Sequence, residues 1–332
     1  MAKINVNANF HTIGGKSVFR NKDTRFIEYR KNWEEWPKTF TVGEFPLHLD
    51  IEASCVCNLR CSFCATNYKL IGGKEGFMSF DTFKKIIDEG AEHGLCAIKL
   101  NSCERGEPLL NKSLPKMIAY AKNKGIMDVY FNTNATLLTR DIGEKIIKAG
   151  LDRISISFEG TTADVYEKYR VGASFEKVVK NIKDFINLRK EMNSEKPLVR
   201  IQTVALPELD PTLNEYKKFW EEIVDEISFI DFRDYSPKEH NLSYDWACPY
   251  LWQRMLVTWD GTIAFCQRDY FNSLKLGNVN NGDSIRSAWK GKAMNHAREL
   301  HQKSRSHEIE LCRGCDIRAL EITKLKKTNK SR

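Results

Sequence analysis

The sequence predicts an α/β fold: a parallel sheet of strand–helix units, followed by a small C-terminal region built on a β-hairpin. Short apolar runs alternate with amphipathic segments six times from residue 46 onward, which is typical of strand–helix–strand units with right-handed crossovers. The dipeptide Asp260-Gly261 stands between two apolar runs, and this is the strongest short signal of a hairpin. A doubly wound sheet and a partial barrel both fit the alternation.

Each element is predicted from its own pattern. The six strands are the apolar runs at 46–52, 96–101, 127–132, 152–158, 199–205 and 227–232. The helices between them have apolar residues at helical spacing, and capping residues such as Ser79, Gly125 and Gly150 mark their ends. These helices are predicted at 79–94, 114–124, 141–149, 175–189 and 213–224. The hairpin is predicted at 255–265, with a further helix at 284–290.

The bulk composition excludes several classes of protein. With 332 residues and 42% apolar content, the chain can bury a core, so disorder throughout is excluded. The net charge of +8 does not form a basic stripe interleaved with aromatics, so no nucleic-acid partner is expected. No apolar run approaches the ~18 residues of a membrane span, and the N-terminus resembles no secretory signal. We therefore expect a cytoplasmic protein without a membrane partner, in which thiols stay reduced.

Three cysteines follow the first predicted strand directly. Cys57, Cys61 and Cys64 are spaced C-x3-C-x2-C. A four-iron cluster takes four ligands, so three local thiolates leave one iron open to a small molecule. Structural zinc, which prefers a closed set of four ligands, and disulfide bonding are the alternatives. The spacing, with Phe63 directly before the last cysteine, resembles the signature of the radical S-adenosylmethionine (SAM) superfamily.

This resemblance implies a partial (β/α)6 TIM-like barrel with its active site at the C-terminal ends of the strands. It also implies a [4Fe–4S] cluster on the three cysteines, SAM on the open iron, and flavodoxin or ferredoxin as electron donor. The reduced cluster would split SAM into methionine and a 5′-deoxyadenosyl radical, which abstracts hydrogen from the substrate. Gly106-Glu107-Pro108 resembles the family's GEP motif, which holds the SAM amino group. Arg105 stands where the commoner form of the motif has a second glycine.

Further contacts to SAM are implied after the later strands. Asn134 lies in a segment that resembles the family's TNGT sequence, with a plain Asn/Thr turn as the alternative. Ser157 ends the fourth strand, where the family contacts the SAM ribose. Arg170 belongs to a Y-x3-R stretch, and its guanidinium fork suits the SAM carboxylate. Further candidates for the barrel mouth are Gln202 and Asp231.

Four more cysteines lie around the predicted hairpin: Cys248, Cys266, Cys312 and Cys315. They resemble the C-terminal region of SPASM/twitch radical SAM enzymes, which implies a second, auxiliary [4Fe–4S] cluster with four protein ligands. A zinc ribbon is the alternative. The predicted domains are an N-terminal extension of unknown role, the radical SAM barrel, the auxiliary cluster domain and a basic disordered tail, at 1–44, 45–236, 237–320 and 321–332.

The predicted reaction is hydrogen abstraction from a small polar substrate of sugar or cyclitol type, with net oxidation through the auxiliary cluster. The short C-terminal region favours such a small-molecule substrate over a peptide. One alternative is radical epimerisation with Cys103 as hydrogen donor, and another is modification of a peptide or protein side chain. A hypothesis outside catalysis is a metal-bearing scaffold that binds a partner through residues 1–44.

Overall fold

One sheet forms the centre of the protein, and six neighbouring strands of it are parallel. The computed structural model describes residues 10–15, 23–65, 75–101, 105–206, 209, 212–233, 246–269 and 273–330. The parallel strands are β2 (His48–Ile51), β3 (Ala97–Lys99), β4 (Asp128–Thr133), β5 (Arg153–Ser157), β6 (Leu198–Ala205) and β7 (Glu226–Asp231). They neighbour one another in chain order, without the reversal of a doubly wound sheet. The partial barrel is therefore confirmed.

Helices cover the outer face of the parallel strands. They are α2 (Phe80–Glu92), α3 (Leu114–Asn123), α4 (Arg140–Lys148), α5 (Ala163–Tyr169), α6 (Phe175–Glu191) and α7 (Leu213–Trp220). As predicted, Ser79 caps α2, since its side chain accepts a hydrogen bond from the backbone N–H of Thr82 at 3.0 Å. The apolar face of α2, which includes Phe83 and Ile86, is buried in one hydrophobic cluster with Ile98 of β3. This burial of apolar surface stabilises the helix layer on the sheet.

The residues before the barrel add a strand and a helix that were not predicted. Strand β1 (Phe10–Gly15) pairs antiparallel with β7 at one edge of the sheet. Helix α1 (Thr24–Thr39) lies where the barrel strands begin, because its Phe26 and Trp33 pack with Ala97, the first residue of β3. The N-terminal helix therefore covers the end of the barrel that is opposite the predicted active site.

The inside of the barrel is polar. Buried ion pairs join neighbouring strands: Arg153 to Asp128 at 2.6 Å, Arg200 to Glu226 at 2.6 Å, and Arg254 to Asp50 at 3.4 Å. Buried charges in proteins are normally paired in this way, since an isolated one is costly. His48 is fully buried in the same interior, with its ring 5.9 Å from that of Trp33.

We expect His48 to make the fold sensitive to acid. Burial, together with the charges of Arg254 and Lys99, holds the pKa of His48 well below 6.5. The folded protein keeps this ring neutral while the unfolded chain binds a proton below pH 6.5, so stability falls as the pH drops below that value. The loss is at most about 1.4 kcal/mol per pH unit. His48→Phe should remove it, measured as the difference in unfolding free energy between about pH 7.5 and about pH 5.5. An equal acid loss in both proteins would contradict this assignment.

The C-terminal region continues the same sheet. Strand β8 (Arg254–Val257) pairs parallel with β2 and antiparallel with β9 (Thr262–Ala264), which in turn pairs with β10 (Lys275–Asn278). The turn between β8 and β9 contains Asp260-Gly261, so the predicted hairpin is confirmed. The remaining helices are α8 (Tyr250–Gln253), α9 (Ile285–Trp289), α10 (Lys292–Gln302), α11 (Glu310–Arg313) and α12 (Asp316–Lys330), with short 3₁₀ turns at Pro108–Leu110, Val279–Asn281 and Ser306–Glu308.

The prediction of a disordered tail at 321–332 is wrong, because α12 covers most of it. Ile322 is fully buried and packs in one cluster with Trp246. Lys324 forms an ion pair with Asp231 of β7 at 2.6 Å. These tertiary contacts order a segment whose charge alone favoured a solvated chain; residues 331 and 332 lie outside the described part. Of the helices in the described ranges, none has the length and apolar character needed to cross a membrane.

Candidate functional site

The first cysteine set borders a large cavity at the C-terminal ends of the barrel strands. Cys57, Cys61 and Cys64 follow β2 and line a cavity of about 360 Å³. Burial raises the pKa of the Cys57 thiol to about 11, and the negative charges of Glu107 and of the other two cysteines act in the same direction. Thiolates that lie close enough to repel one another are suited to binding a positively charged metal group between them. The donor set therefore fits a metal cluster with three thiolate ligands.

The cysteine loop is fixed by the segment that follows α5. The backbone N–H of Arg60 donates to the carbonyl of Val171 at 2.9 Å, and that of Ser62 donates to the carbonyl of Tyr169 at 3.0 Å. These two bonds resemble a short strand pairing and hold the loop against the barrel rim. The predicted Y-x3-R stretch is therefore in contact with the cysteines.

Arg170 points at the cysteine loop from that same segment. Its guanidinium pairs with both carboxylate oxygens of the fully buried Glu159, with Nη2 to Oε1 at 2.9 Å. Its Nη1 also donates to Sγ of Cys61 at 3.6 Å. The ring of Phe63 lies 5.2 Å from the guanidinium. The two Glu159 bonds occupy much of the fork that was predicted for the SAM carboxylate, so Arg170 is oriented first of all by Glu159.

Gly106 is required by a close approach of two backbones. Its φ is +83°, in the left-handed region. A Cβ atom there would lie 1.8 Å from the carbonyl oxygen of Ser54. The next residue, Glu107, donates its backbone N–H to the carbonyl of Val56 at 2.8 Å, and Pro108 begins a 3₁₀ turn. The GEP segment thus lies directly on the chain that enters the cysteine loop.

The Glu107 carboxylate is engaged by the protein. It accepts hydrogen bonds from Thr133 Oγ1 at 2.7 Å, from the backbone N–H of Asn134 at 2.8 Å and from that of Leu109 at 3.1 Å. Burial raises the pKa of Glu107, and these bonds oppose the rise. Asn134 in turn donates from Nδ2 to Oδ1 of Asn58 in the cysteine loop at 3.0 Å. The GEP and TNGT-like segments are therefore joined through the Glu107 carboxylate, and together they hold the cysteine loop in place.

Arg105, which departs from the double-glycine form of the motif, has a defined partner. Its Nε and Nη2 donate to the two carboxylate oxygens of Glu52 at 2.5 and 3.0 Å. Glu52 also accepts from the backbone N–H of Trp259 at 3.3 Å. Because Trp259 belongs to the turn of the C-terminal hairpin, this carboxylate links the motif loop to the C-terminal region.

The remaining predicted site residues are Ser157, Gln202 and Asp231, which the structure describes, and Cys103. Ser157 at the end of β5 lines the cavity, as do Gln202 on β6 and Asp231 on β7. Cys103 lies outside the described residues. Glu159 was missed, although the signal was present: it follows the fourth predicted strand by one residue, at the rim where polar side chains collect.

The cavity lining is rich in cations. Among the described residues, its cationic members are Arg60, Lys99, Arg105, Arg170, Arg200, Arg233 and Arg254, and its carboxylates are Glu107, Glu159 and Asp231. Several partner carboxylates lie behind the wall, such as the fully buried Glu52 and Asp50. The positive ends of these ion pairs therefore face the cavity, which favours an anionic ligand.

The four C-terminal cysteines surround a second, smaller cavity. Cys248, Cys266, Cys312 and Cys315 all line it. Burial raises the pKa of each thiol, to about 12 for Cys266, and neighbouring thiolates add to the shift for Cys248, Cys266 and Cys312. Within the described ranges no three His, Cys, Asp or Glu side chains converge on one metal ion; the four thiols instead enclose a volume.

The two cavities share a wall. Trp246, Cys248, Tyr250, Arg254 and Ile317 border both of them. Cys248 therefore stands between the larger cavity and the space enclosed by its three fellow cysteines. The sequence had placed this cysteine in the second set without indicating its position at the first site.

Two domain families match the chain. The radical SAM superfamily matches residues 51–209, and the SPASM iron–sulfur cluster-binding domain matches residues 248–316. The first range contains the three-cysteine loop and the second contains the four-cysteine set. The predicted cofactors are thereby confirmed: SAM, a SAM-binding [4Fe–4S] cluster and an auxiliary [4Fe–4S] cluster.

The curated relatives are GTP 3′,8-cyclases. A probable GTP 3′,8-cyclase of Methanococcus maripaludis (strain DSM 14266) is 35% identical over 139 residues, which is 40% of this chain and 43% of the relative. The GTP 3′,8-cyclase of Clostridium botulinum (strain Hall) is 28% identical over 179 residues, 52% of this chain and 53% of the relative. The chain thus spans about half or less of the length of the curated relatives it matches.

Solved structures share the fold at low identity. BtrN in complex with AdoMet and 2-DOIA is 16% identical with a TM-score of 0.56, over 83% of this chain and 94% of that chain. Native anSMEcpe with bound AdoMet and a peptide is 17% identical with a TM-score of 0.57, over 77% and 83%. Streptococcus suis SuiB bound to S-adenosylmethionine is 17% identical with a TM-score of 0.57, over 88% and 76%. At this identity the likeness shows the fold alone.

These relatives overturn the predicted reaction. Oxidation of a sugar or cyclitol was expected, with epimerisation through Cys103 and modification of a peptide or protein side chain as alternatives, whereas the curated relatives carry the name GTP 3′,8-cyclase. The prediction rested on the number of C-terminal cysteines and gave no weight to the cavity's charge.

The domain matches fall on the two parts of the chain that contain the two cysteine sets, and the solved structures share the fold. Residues 51–209 of the chain belong to the radical SAM superfamily, and residues 248–316 form a SPASM-type iron–sulfur cluster-binding domain.

Proposed function

We propose that this chain is a radical SAM enzyme that acts on a nucleoside triphosphate of the GTP type. The observation that carries this proposal is the cationic wall of the cavity beside the three-cysteine loop, where Lys99, Arg200 and Arg254 face the same space. The names of the curated relatives support a GTP substrate. Aromatic side chains such as Tyr130 and Tyr250 also line the cavity and are suited to stack on a purine.

We propose the first cluster's ligands to be Cys57, Cys61 and Cys64. When bound, this cluster and SAM supply a 5′-deoxyadenosyl radical that abstracts hydrogen from the substrate. The protein contributes placement and exclusion of water. SAM is proposed to lie against Phe63, the Gly106-Glu107-Pro108 loop, Asn134, Ser157 and Arg170. In this arrangement Glu107 holds the loops, and the backbone around Gly106 offers acceptors to the SAM ammonium group.

The second cluster is proposed to be held by Cys248, Cys266, Cys312 and Cys315. The proposed boundaries are 45–236 for the barrel and 237–320 for the auxiliary cluster domain, after an N-terminal extension at 1–44. Flavodoxin or ferredoxin is the proposed electron donor, and the basic balance of the chain supports an acidic protein in this role.

We expect anaerobically reconstituted protein to hold about 8 iron atoms, and the variant with Cys57, Cys61 and Cys64 changed to Ala to hold about 4, since each four-iron cluster has its own ligands. Iron, sulfide and zinc are measured together. About 4 iron atoms with one zinc in the unchanged protein would overturn the second cluster assignment.

The substrate is tested by the fate of its hydrogen. Under reducing conditions GTP should stimulate 5′-deoxyadenosine formation, and GTP deuterated on the ribose should transfer deuterium to that product. Lys99→Met should raise the KM for GTP about tenfold or more, because a charged hydrogen bond is worth ~1.5–3 kcal/mol. Lys177→Met, on the exposed face of α6, is the matched control and should leave KM unchanged. No deuterium transfer and no stimulation by GTP would refute the proposed substrate.

A further inference from the structure

Two buried ring nitrogens belong to residues that line the four-cysteine cavity, and neither has a hydrogen-bond partner among the described residues. They are Nε2 of His301 on α10 and Nε1 of Trp246. His301 is 1% exposed and Trp246 is 2% exposed. Neither residue was singled out by the sequence. Buried donors in folded proteins almost always find an acceptor, and the sulfur atoms of a cluster held by the four cysteines would supply one.

The hydrogen bond on the other side of the His301 ring fixes where its proton sits. The backbone N–H of Cys248 donates to Nδ1 of His301 at 3.1 Å. A nitrogen that accepts a hydrogen bond carries no proton, so the neutral ring must carry its proton on Nε2. His301 therefore holds the backbone of Cys248 with one nitrogen and presents an N–H donor with the other.

The surroundings make such donors effective. Much of the cavity wall is apolar, with Leu251, Met255 and Phe265 among its members. In a medium of low dielectric constant, a hydrogen bond to a charged acceptor is strengthened. One donor in this cavity is already directed at sulfur, because the backbone N–H of Arg268 lies 3.4 Å from Sγ of Cys266.

We propose that His301 and Trp246 donate hydrogen bonds to sulfur atoms of the auxiliary cluster and raise its reduction potential. Reduction adds one electron, and so one negative charge, to the cluster. Hydrogen bonds to the sulfur atoms stabilise the more negative, reduced form preferentially. Both act as positioning residues for the cluster: His301 lines the four-cysteine cavity, and Trp246 lies in the wall that this cavity shares with the larger one. The inference rests on the proposed four-cysteine ligand set and is independent of the substrate.

The test uses full-length, reconstituted protein in which Cys57, Cys61 and Cys64 are changed to Ala, so that only the auxiliary cluster gives a signal. His301→Leu and Trp246→Phe should each make its potential more negative in an EPR-monitored redox titration. His296→Leu, exposed on the same helix α10, is the matched control and should leave the potential unchanged.

Protein labelled with ¹⁵N-histidine provides a second readout, which is detected in the protein without a change at His301 or Trp246. The reduced auxiliary cluster should show a ¹⁵N hyperfine coupling, which His301→Leu abolishes and His296→Leu retains. Unchanged potentials in both His301→Leu and Trp246→Phe, or no coupling in the labelled protein, would overturn the inference. Iron content is measured in every sample, so loss of the cluster itself is recognised separately.

Discussion

Glu159→Gln is expected to destabilise the protein by about 3–5 kcal/mol, because it leaves the buried guanidinium of Arg170 without its counter-charge. Glu159 is fully buried and engages Arg170 through both carboxylate oxygens. The same guanidinium contacts Sγ of Cys61, so the change should also lower iron occupancy of the three-cysteine set. Denaturant unfolding and iron content of the anaerobic protein measure the two effects.

The control for Glu159→Gln is the same substitution in an exposed pair. Glu191 pairs with Arg140 on the surface, where more than half of each side chain is exposed. Glu191→Gln should cost no more than about 1 kcal/mol, since water screens exposed pairs. A second change, Arg170→Met beside Glu159→Gln, removes the stranded charge and should restore part of the stability. Equal effects of Glu159→Gln and Glu191→Gln would show that the buried pair has no special role.

The elements that the sequence predicted correctly are those whose signal is local. The six parallel strands are short apolar runs. The start of α2 is indicated by Ser79, a residue whose side chain can cap a helix. The hairpin is indicated by Asp260-Gly261 and the two apolar runs directly beside it. None of these elements needs a distant partner to be recognised, and all are present in the structure.

The elements that were not predicted depend on distant partners. Strand β1 contains Gly14 and Gly15, which favour a turn, and it is extended because β7 pairs with it. Helix α12 is highly charged, and its order comes from contacts such as Lys324 with Asp231, 93 residues away. Tertiary contacts of this kind override local propensity.

In the candidate site, too, local signals could be read from the sequence, whereas contacts between distant residues could not. Spacing alone identified the three cysteines of the first set. The partner of Arg170 could not be found in this way, because Glu159 and Arg170 meet only when the chain turns back after β5. Likewise, the GEP motif indicated a role for Glu107, whereas its bonds to Thr133 and Asn134 appear only when β3 and β4 are side by side.

Gly106→Ala is expected to disrupt the proposed SAM site and to cost about 4 kcal/mol or more, which is the range of exceptional single substitutions. The added Cβ would lie 1.8 Å from the carbonyl oxygen of Ser54 and 2.7 Å from its carbonyl carbon. Both are backbone atoms at the entry to the cysteine loop, so the clash cannot be relieved by a side-chain rotation. The GEP loop and the cysteine loop must separate. Unfolding free energy and SAM binding to the reconstituted protein measure the effect.

Gly125→Ala separates this clash from backbone strain. Gly125 has nearly the same φ, +84°, but an added Cβ there meets nothing within 4 Å. Its substitution should cost only about 1 kcal/mol, from the left-handed conformation itself, and should leave SAM binding intact. If Gly106→Ala were as mild as Gly125→Ala, the close approach of the two loops would not be needed to hold SAM, and the proposed place of SAM beside the GEP segment would have to be abandoned.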